Sequence, residues 1–140
     1  MKCLVKQGYA DNLKKANLRC TSSRIAILKV LSEAENPLTH RQIALALGKK
    51  APNKVTIYRA LESLVEAGLV HRAYTRGRAW CYELAVNCTD KQCHPHFTCS
   101  NCGQTYCLVG FFPPLVKGLK KGFVVYRQQV RLEGLCPECA

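Results

Sequence analysis

KVTIYRALESLVEAGLVHRAYTRGRAWCYEL, residues 54–84, changes its hydrophobic period in the middle. From Lys54 to Gly68 apolar residues recur at helical spacing, and Val55, Tyr58, Leu61, Leu64 and Val65 are the expected inner positions. Gly68 stops the helix. Leu69–Arg72 and Ala79–Leu84 then follow a period of two and read as strands joined by the basic turn TRGR.

Upstream the chain is helical. Residues 9–18 read as a short amphipathic helix carrying Lys14 and Lys15. Thr21, Ser22 and Ser23 offer capping oxygens ahead of RIAILKVLSEA, where Ile25, Leu28 and Leu31 recur at helical spacing, and Asn36-Pro37 ends that helix. Thr39 caps HRQIALALGKK, with Ile43, Ala44 and Leu47 on one face and Gly48 closing it. The turn KKAPN then leads into Lys54. Three short helices followed by a basic hairpin spell a winged helix-turn-helix. In that arrangement the helix at 53–67 enters the major groove of DNA and the hairpin lies along the backbone.

Charge points to the same partner. The 140 residues carry a net charge of +12, and residues 1–84 hold 15 Lys and Arg against 6 Asp and Glu. A basic excess concentrated in one part of the chain is what nucleic acid attracts. The N-terminus has no apolar core of a signal peptide, and no stretch is long enough to span a membrane, so a cytoplasmic protein with no membrane partner is expected.

The ten cysteines follow a different logic. Cys99 and Cys102 form a C-x-x-C pair closed by Gly103, and Cys136 and Cys139 form a second one. Two such knuckles supply four thiolates to a tetrahedral structural zinc site, and the long gap between them implies an element folded in between. That element is expected to be a proline-started helix in PPLVKGLKKG and a long alternating strand, FVVYRQQVRL. His96–Cys99 and Gln104–Leu108 are expected strands flanking the first knuckle. The overall expectation is α+β: a winged-helix domain at 1–84, a hinge at 85–93, and a small α/β domain at 94–140 with the four-cysteine zinc site. So small a second domain needs zinc and burial against another copy to hold together.

Taken together, the residues resemble the ferric uptake regulator family of metal-sensing repressors, over about Arg19 to Cys139. LRCTSSRIAIL is similar to LRxTxxRxxIL, and VTIYRALESLVEAGLV to xTVYRxLxxLxxxGLV. HPHFTCSNCG follows HxHxxCxxCG, and CPEC closes the match. The resemblance implies a homodimer with a C-terminal dimerisation domain, repression of transcription, and a second metal site near the hinge. In the zinc uptake regulators of this family such a sensor corresponds here to His71, Cys88, His94 and His96. A thiolate among imidazoles favours zinc over ferrous iron or manganese. The recognition-helix match assigns Tyr58 and Arg59 to base edges, with Lys15, Arg19 and Lys54 on phosphates.

This chain departs from the iron-sensing pattern in three places. Cys107 replaces an acidic residue, Cys93 and Pro95 interrupt the histidine run, and Pro37 stands where iron sensors commonly carry a histidine. Glu83 matches a ligand of the iron sensors and is read as a strand-end carboxylate facing solvent. His40, beside a helix cap, is read as solvated, and Cys3, Cys20 and Cys81 as small, partly buried side chains. A zinc enzyme built on His94, His96 and a cysteine would need a nearby general base, and no H-x-E motif accompanies the cysteines. No small-molecule substrate is expected. The reading is therefore a zinc-responsive repressor binding double-stranded operator DNA as a homodimer, with an iron- or peroxide-sensing regulator of the same family as the alternative.

Overall fold

The computed structural model describes residues 8–85, 92, 94–108 and 110–140. The chain divides into two compact units, Met1–Ala85 and Val86–Ala140.

Among the described residues, the first unit is built on four α-helices, a 3-10 turn at Gly48–Lys50 and a three-stranded sheet. Helix α1 (Tyr9–Lys15) is shorter than the sequence pattern suggests. Asn17 adopts a left-handed φ of 56°, and the Leu18 N–H donates to the Leu13 carbonyl at 2.8 Å, closing the helix early. Helix α2 (Ser22–Glu33) starts on Thr21, whose side chain accepts from the Arg24 N–H, and buries Ile27, Leu28 and Leu31. A two-residue strand, β1 (Leu38–Thr39), follows. Helix α3 (His40–Leu47) opens with a reciprocal capping box: Gln42 N–H donates to Thr39 Oγ1 at 3.2 Å, and Thr39 N–H to Gln42 Oε1 at 2.8 Å.

Helix α4 (Lys54–Glu66) is capped by Asn53, whose Oδ1 accepts from the Thr56 N–H at 2.8 Å. It ends where Gly68, at φ 74°, lets the Leu69 N–H reach the Leu64 carbonyl. Its buried stripe is Ile57, Ala60, Leu61 and Leu64. Val55 and Tyr58, expected inside, are instead 56% and 42% exposed. The stripe begins at Ile57 because i, i+3, i+4 and i+7 from that residue fall on one face, and Val55 lies off it.

Strands β2 (Val70–Arg76) and β3 (Ala79–Leu84) form the expected hairpin, and β1 pairs with β3, giving the order β1-β3-β2. A bulge between Arg72 and Tyr74 shifts the β2–β3 register. Helices and sheet close over one core containing Leu13, Ile27, Ile43, Ile57, Leu61, Leu64 and Val70. This is a winged helix-turn-helix.

The second unit carries a small mixed sheet of β4 (His96–Cys99), β5 (Thr105–Cys107) and β6 (Arg131–Gly134) in the order β5-β4-β6, β4 being antiparallel to β5 and parallel to β6. Two expectations fail here. Residues 113–120 form no helix. The Val116 N–H donates to Gln128 Oε1 at 2.6 Å, and the Pro113 and Pro114 carbonyls accept from the side chains of Gln92 and Gln128. Backbone groups a helix would use are taken by these glutamines. The long strand expected from Phe123 is likewise confined to Arg131–Gly134, preceded by a single bridge between Gln128 and Gln92.

No helix among the described residues is long and apolar enough to cross a membrane.

Candidate metal centres and nucleic-acid interface

The four cysteines of the paired knuckles come together at the end of the second sheet. Cys99 closes β4, and its parallel neighbour is Gly134, the last residue of β6, two positions before Cys136. Gly103, at φ 74°, turns the first knuckle back, with its N–H on the Cys99 carbonyl. The Cys139 and Ala140 N–H groups both donate to the Cys136 carbonyl, folding the second knuckle.

The four sulfurs lie within 4.8 Å of one another, and Cys102 and Cys136 are 3.9 Å apart. Tetrahedral thiolate coordination with bonds of about 2.3 Å places sulfurs about 3.8 Å apart, so the cluster fits such an ion. Its protonation fits too. The Cys102 and Cys136 backbone N–H groups stabilise the Cys99 thiolate and hold its pKa down to about 6. Cys102 has the Gln104 N–H in its favour, yet the Cys99 sulfur, burial and the other two cysteines push it up to about 11. Four thiols this close do not all ionise unaided, and a divalent cation supplies the missing positive charge.

The three histidines expected at the sensor site belong to both units. In the first unit His71 on β2 stands directly across from Glu83 on β3, and its Nε2 lies 2.6 Å from Glu83 Oε1. His71 is buried and the Glu83 side chain is only 12% exposed, so Glu83 does not face solvent as its place at a strand end suggests. In the second unit His94 and His96 are both buried, with ring centroids 4.9 Å apart. Two residues apart in extended chain, they lie on one side of it. His96 pairs across the sheet with Cys107. Cys88, the remaining sensor ligand expected from sequence, and Cys93 lie outside the described residues, as does Cys3.

On the first unit, the outer face of α4 presents Lys54, Tyr58 and Arg59 to solvent, and the hairpin tip presents Arg76 and Arg78. Lys15 at the end of α1 and Arg19 beyond it are also exposed. A recognition helix flanked by basic side chains and an arginine-tipped wing is the geometry that reads a groove while gripping the backbone. His40 is half-buried and not solvated: its ring stacks on Tyr58, centroids 3.9 Å apart and planes 20° apart. Sequence gave no sign of this, because the partner comes from the next helix. Cys81 is buried and Cys20 exposed, so the shared expectation of partial burial holds for neither.

Residues 15–110 match the ferric uptake regulator family. The transcriptional regulator FurA of Mycobacterium tuberculosis is 30% identical over 136 residues, which cover 94% of this chain and 90% of that protein. The structure of the ferric uptake regulator from Pseudomonas aeruginosa with manganese aligns at a TM-score of 0.63 and 26% identity, over 89% of this chain and 95% of that one. A zinc uptake regulator complexed with zinc and DNA aligns at 0.62 and 22% identity, over 90% and 86% of the two chains, a likeness of fold.

Proposed function

Because the chain belongs to the ferric uptake regulator family, we propose that it is a zinc-responsive transcriptional repressor, binding operator DNA as a homodimer when a hinge metal site is filled. Zinc in the four-cysteine cluster is structural in this reading, held by Cys99, Cys102, Cys136 and Cys139. The sensor is His71, Cys88, His94 and His96. Bound metal supplies a fixed joint between donors that belong to different parts of the chain. His71 stands on the wing hairpin, and His94 and His96 open the sheet of the second unit. Residues 85–93 are the hinge between a DNA-binding domain at 1–84 and a dimerisation domain at 94–140.

The observation that carries zinc as the effector is donor chemistry. Two buried histidines lie side by side, and with His71 and with Cys88, the ligand that the family resemblance supplies, they would make a nitrogen-and-sulfur set, which zinc takes more readily than iron or manganese. Dimerisation is supported by the apolar surface of the second unit, where Phe111, Phe112, Phe123, Val124 and Tyr126 are all more than half exposed. Tyr58 and Arg59 read base edges, while Lys15, Arg19 and Lys54 hold phosphates. Paired C-x-x-C knuckles holding a metal fit a cytoplasmic protein.

A second reading has one observation in its favour. Glu83 places an oxygen donor against His71, and oxygen donors suit ferrous iron or manganese, as an iron- or peroxide-sensing regulator would need. The deciding experiment titrates DNA binding with zinc, ferrous iron and manganese under anaerobic, reducing conditions, for the parent, Cys88→Ser and Glu83→Gln. Zinc acting at the lowest free concentration, with the response lost in Cys88→Ser, supports the zinc sensor. Iron acting first, with the response lost in Glu83→Gln, replaces it with the second reading. A switch of this kind couples metal and DNA by roughly 5- to 150-fold in affinity, and DNA must tighten the metal by the same factor.

A further inference from the structure

We propose that His40 is a positioning residue for Tyr58, holding the phenol ring in the orientation in which the recognition helix presents it to DNA. The inference rests on the reading of Tyr58 as a DNA contact. Tyr58 is 42% exposed, and beside it lies a cleft of about 470 Å³, lined also by Thr39, Ala44, Pro52, Ile57 and Ala79. A ring with open solvent on one side and a cleft on another is not fixed by close packing. Something else must select one rotamer if the ring is to meet a base without first being ordered.

His40 does this from two directions. Its ring lies nearly parallel to the phenol at 3.9 Å, which sets the plane of Tyr58. Its Nε2–H donates to the Lys54 carbonyl at 3.1 Å, in the first turn of the same helix, which sets the imidazole. The backbone of His40 is itself pinned, since it follows Thr39 of the capping box directly. The Lys54 ammonium sits 5.9 Å from the Tyr58 ring centroid and adds a cation–π contact. Two helices of the helix-turn-helix are thereby joined at the side chain that reaches outward. The hydrogen bond makes Nε2 the protonated nitrogen of His40.

The test uses the full chain loaded with zinc. Its DNA probes are the tightest duplex that the parent enriches from a randomised library and a shuffled duplex of the same composition. His40→Ala should cut the preference for the selected duplex roughly 2- to 10-fold, the worth of an aromatic pair, while binding to shuffled DNA stays near parental. His40→Phe, which keeps a ring on Tyr58, should restore most of the preference. In a Tyr58→Ala background His40→Ala should add nothing further. Without DNA, the Tyr58 ring protons of tyrosine-labelled protein should shift in His40→Ala as the neighbouring ring current is lost. Equal weakening on both duplexes, or full additivity with Tyr58→Ala, would overturn the positioning role. So would unmoved Tyr58 resonances, whatever the DNA result. A Tyr58→Ala protein with parental preference would instead remove the DNA role of Tyr58, and the positioning role with it.

Discussion

Ile57→Ala and Val55→Ala, two residues apart on the recognition helix, should behave in opposite ways. The sequence pattern puts Val55 inside and passes over Ile57, whereas the structure leaves Val55 56% exposed and Ile57 1% exposed. Ile57 packs in the core with Leu61 and Leu64 from its own helix and with Ile27, Leu28, Leu31 and Ile43 from α2 and α3. Removing most of a fully buried isoleucine side chain costs about 2–5 kcal/mol, from lost transfer energy and the cavity left behind. In a unit of this size each kcal/mol lowers the melting temperature by about 4–8 °C, so Ile57→Ala should drop it by roughly 10 °C or more. Val55→Ala removes little buried surface and replaces a β-branched residue by the best helix former, so its effect should stay within about 0.5 kcal/mol. Thermal unfolding followed at Trp80, the only tryptophan and a residue of the hairpin, reports on the first unit alone. If Val55→Ala costs as much as Ile57→Ala, the assigned face of α4 is wrong. The outward aim of Tyr58 and Arg59 then goes with it.

Cys136→Ser should lower tightly held zinc by one ion per chain and unfold or dissociate the second unit; undiminished zinc in a dimeric variant contradicts a structural site. Arg59→Ala should cost roughly 1–3 kcal/mol on a preferred duplex and relax sequence choice, while Lys54→Ala should weaken all duplexes alike and flatten the salt dependence, both read by gel-shift titration. Equal loss on preferred and scrambled DNA for Arg59→Ala would move that residue to the phosphates. Burial pushes the Cys81 thiol above its ordinary pKa, with Arg76 pulling partly the other way, so little thiolate exists at neutral pH. Exposed Cys20 should therefore alkylate well before Cys81 in peptide mapping by mass spectrometry, and the Cys81 rate should climb as pH rises; comparable rates at neutral pH would contradict its burial.

What was legible in the sequence was local. The zinc knuckles announce themselves because two residues between cysteines is already the spacing a turn needs, and the structure had only to bring the two turns together. The caps on Thr21 and Thr39 are equally local, whereas the cap that Asn53 gives α4 shows only in the structure. The second unit was hardest to read, because FVVYRQQVRL has the period of a strand but only its last two residues, Arg131 and Leu132, lie in a strand with a neighbouring strand among the described residues. Period records how a side-chain pattern would sit in a sheet, and says nothing of whether a partner edge is there. Likewise Gln92 and Gln128, polar residues without any motif, decide the path of residues 113–116 by taking backbone groups.

The pairing of His71 with Glu83 shows where such reading stops. Counting back from the hairpin turn, Arg76 faces Ala79, Thr75 faces Trp80 and Tyr74 faces Cys81. Continued without interruption, that register sets His71 opposite Leu84, and Glu83 opposite Arg72. The bulge at Ala73 inserts one residue into β2, so that Arg72 faces Tyr82 and His71 faces Glu83 instead. One extra residue thus exchanges an apolar neighbour for a carboxylate 2.6 Å from the imidazole. Nothing in HRAYTR marks Ala73 as the bulged position, since alanine fits a regular strand as readily. The consequence is chemical: a carboxylate so placed either orients the His71 ring for a metal or joins it as a ligand. Glu83→Gln separates the two roles. An amide still hydrogen-bonds the ring and preserves orientation, but it is a far weaker ligand, so loss of metal affinity in Glu83→Gln as large as in His71→Ala would make Glu83 a ligand in its own right.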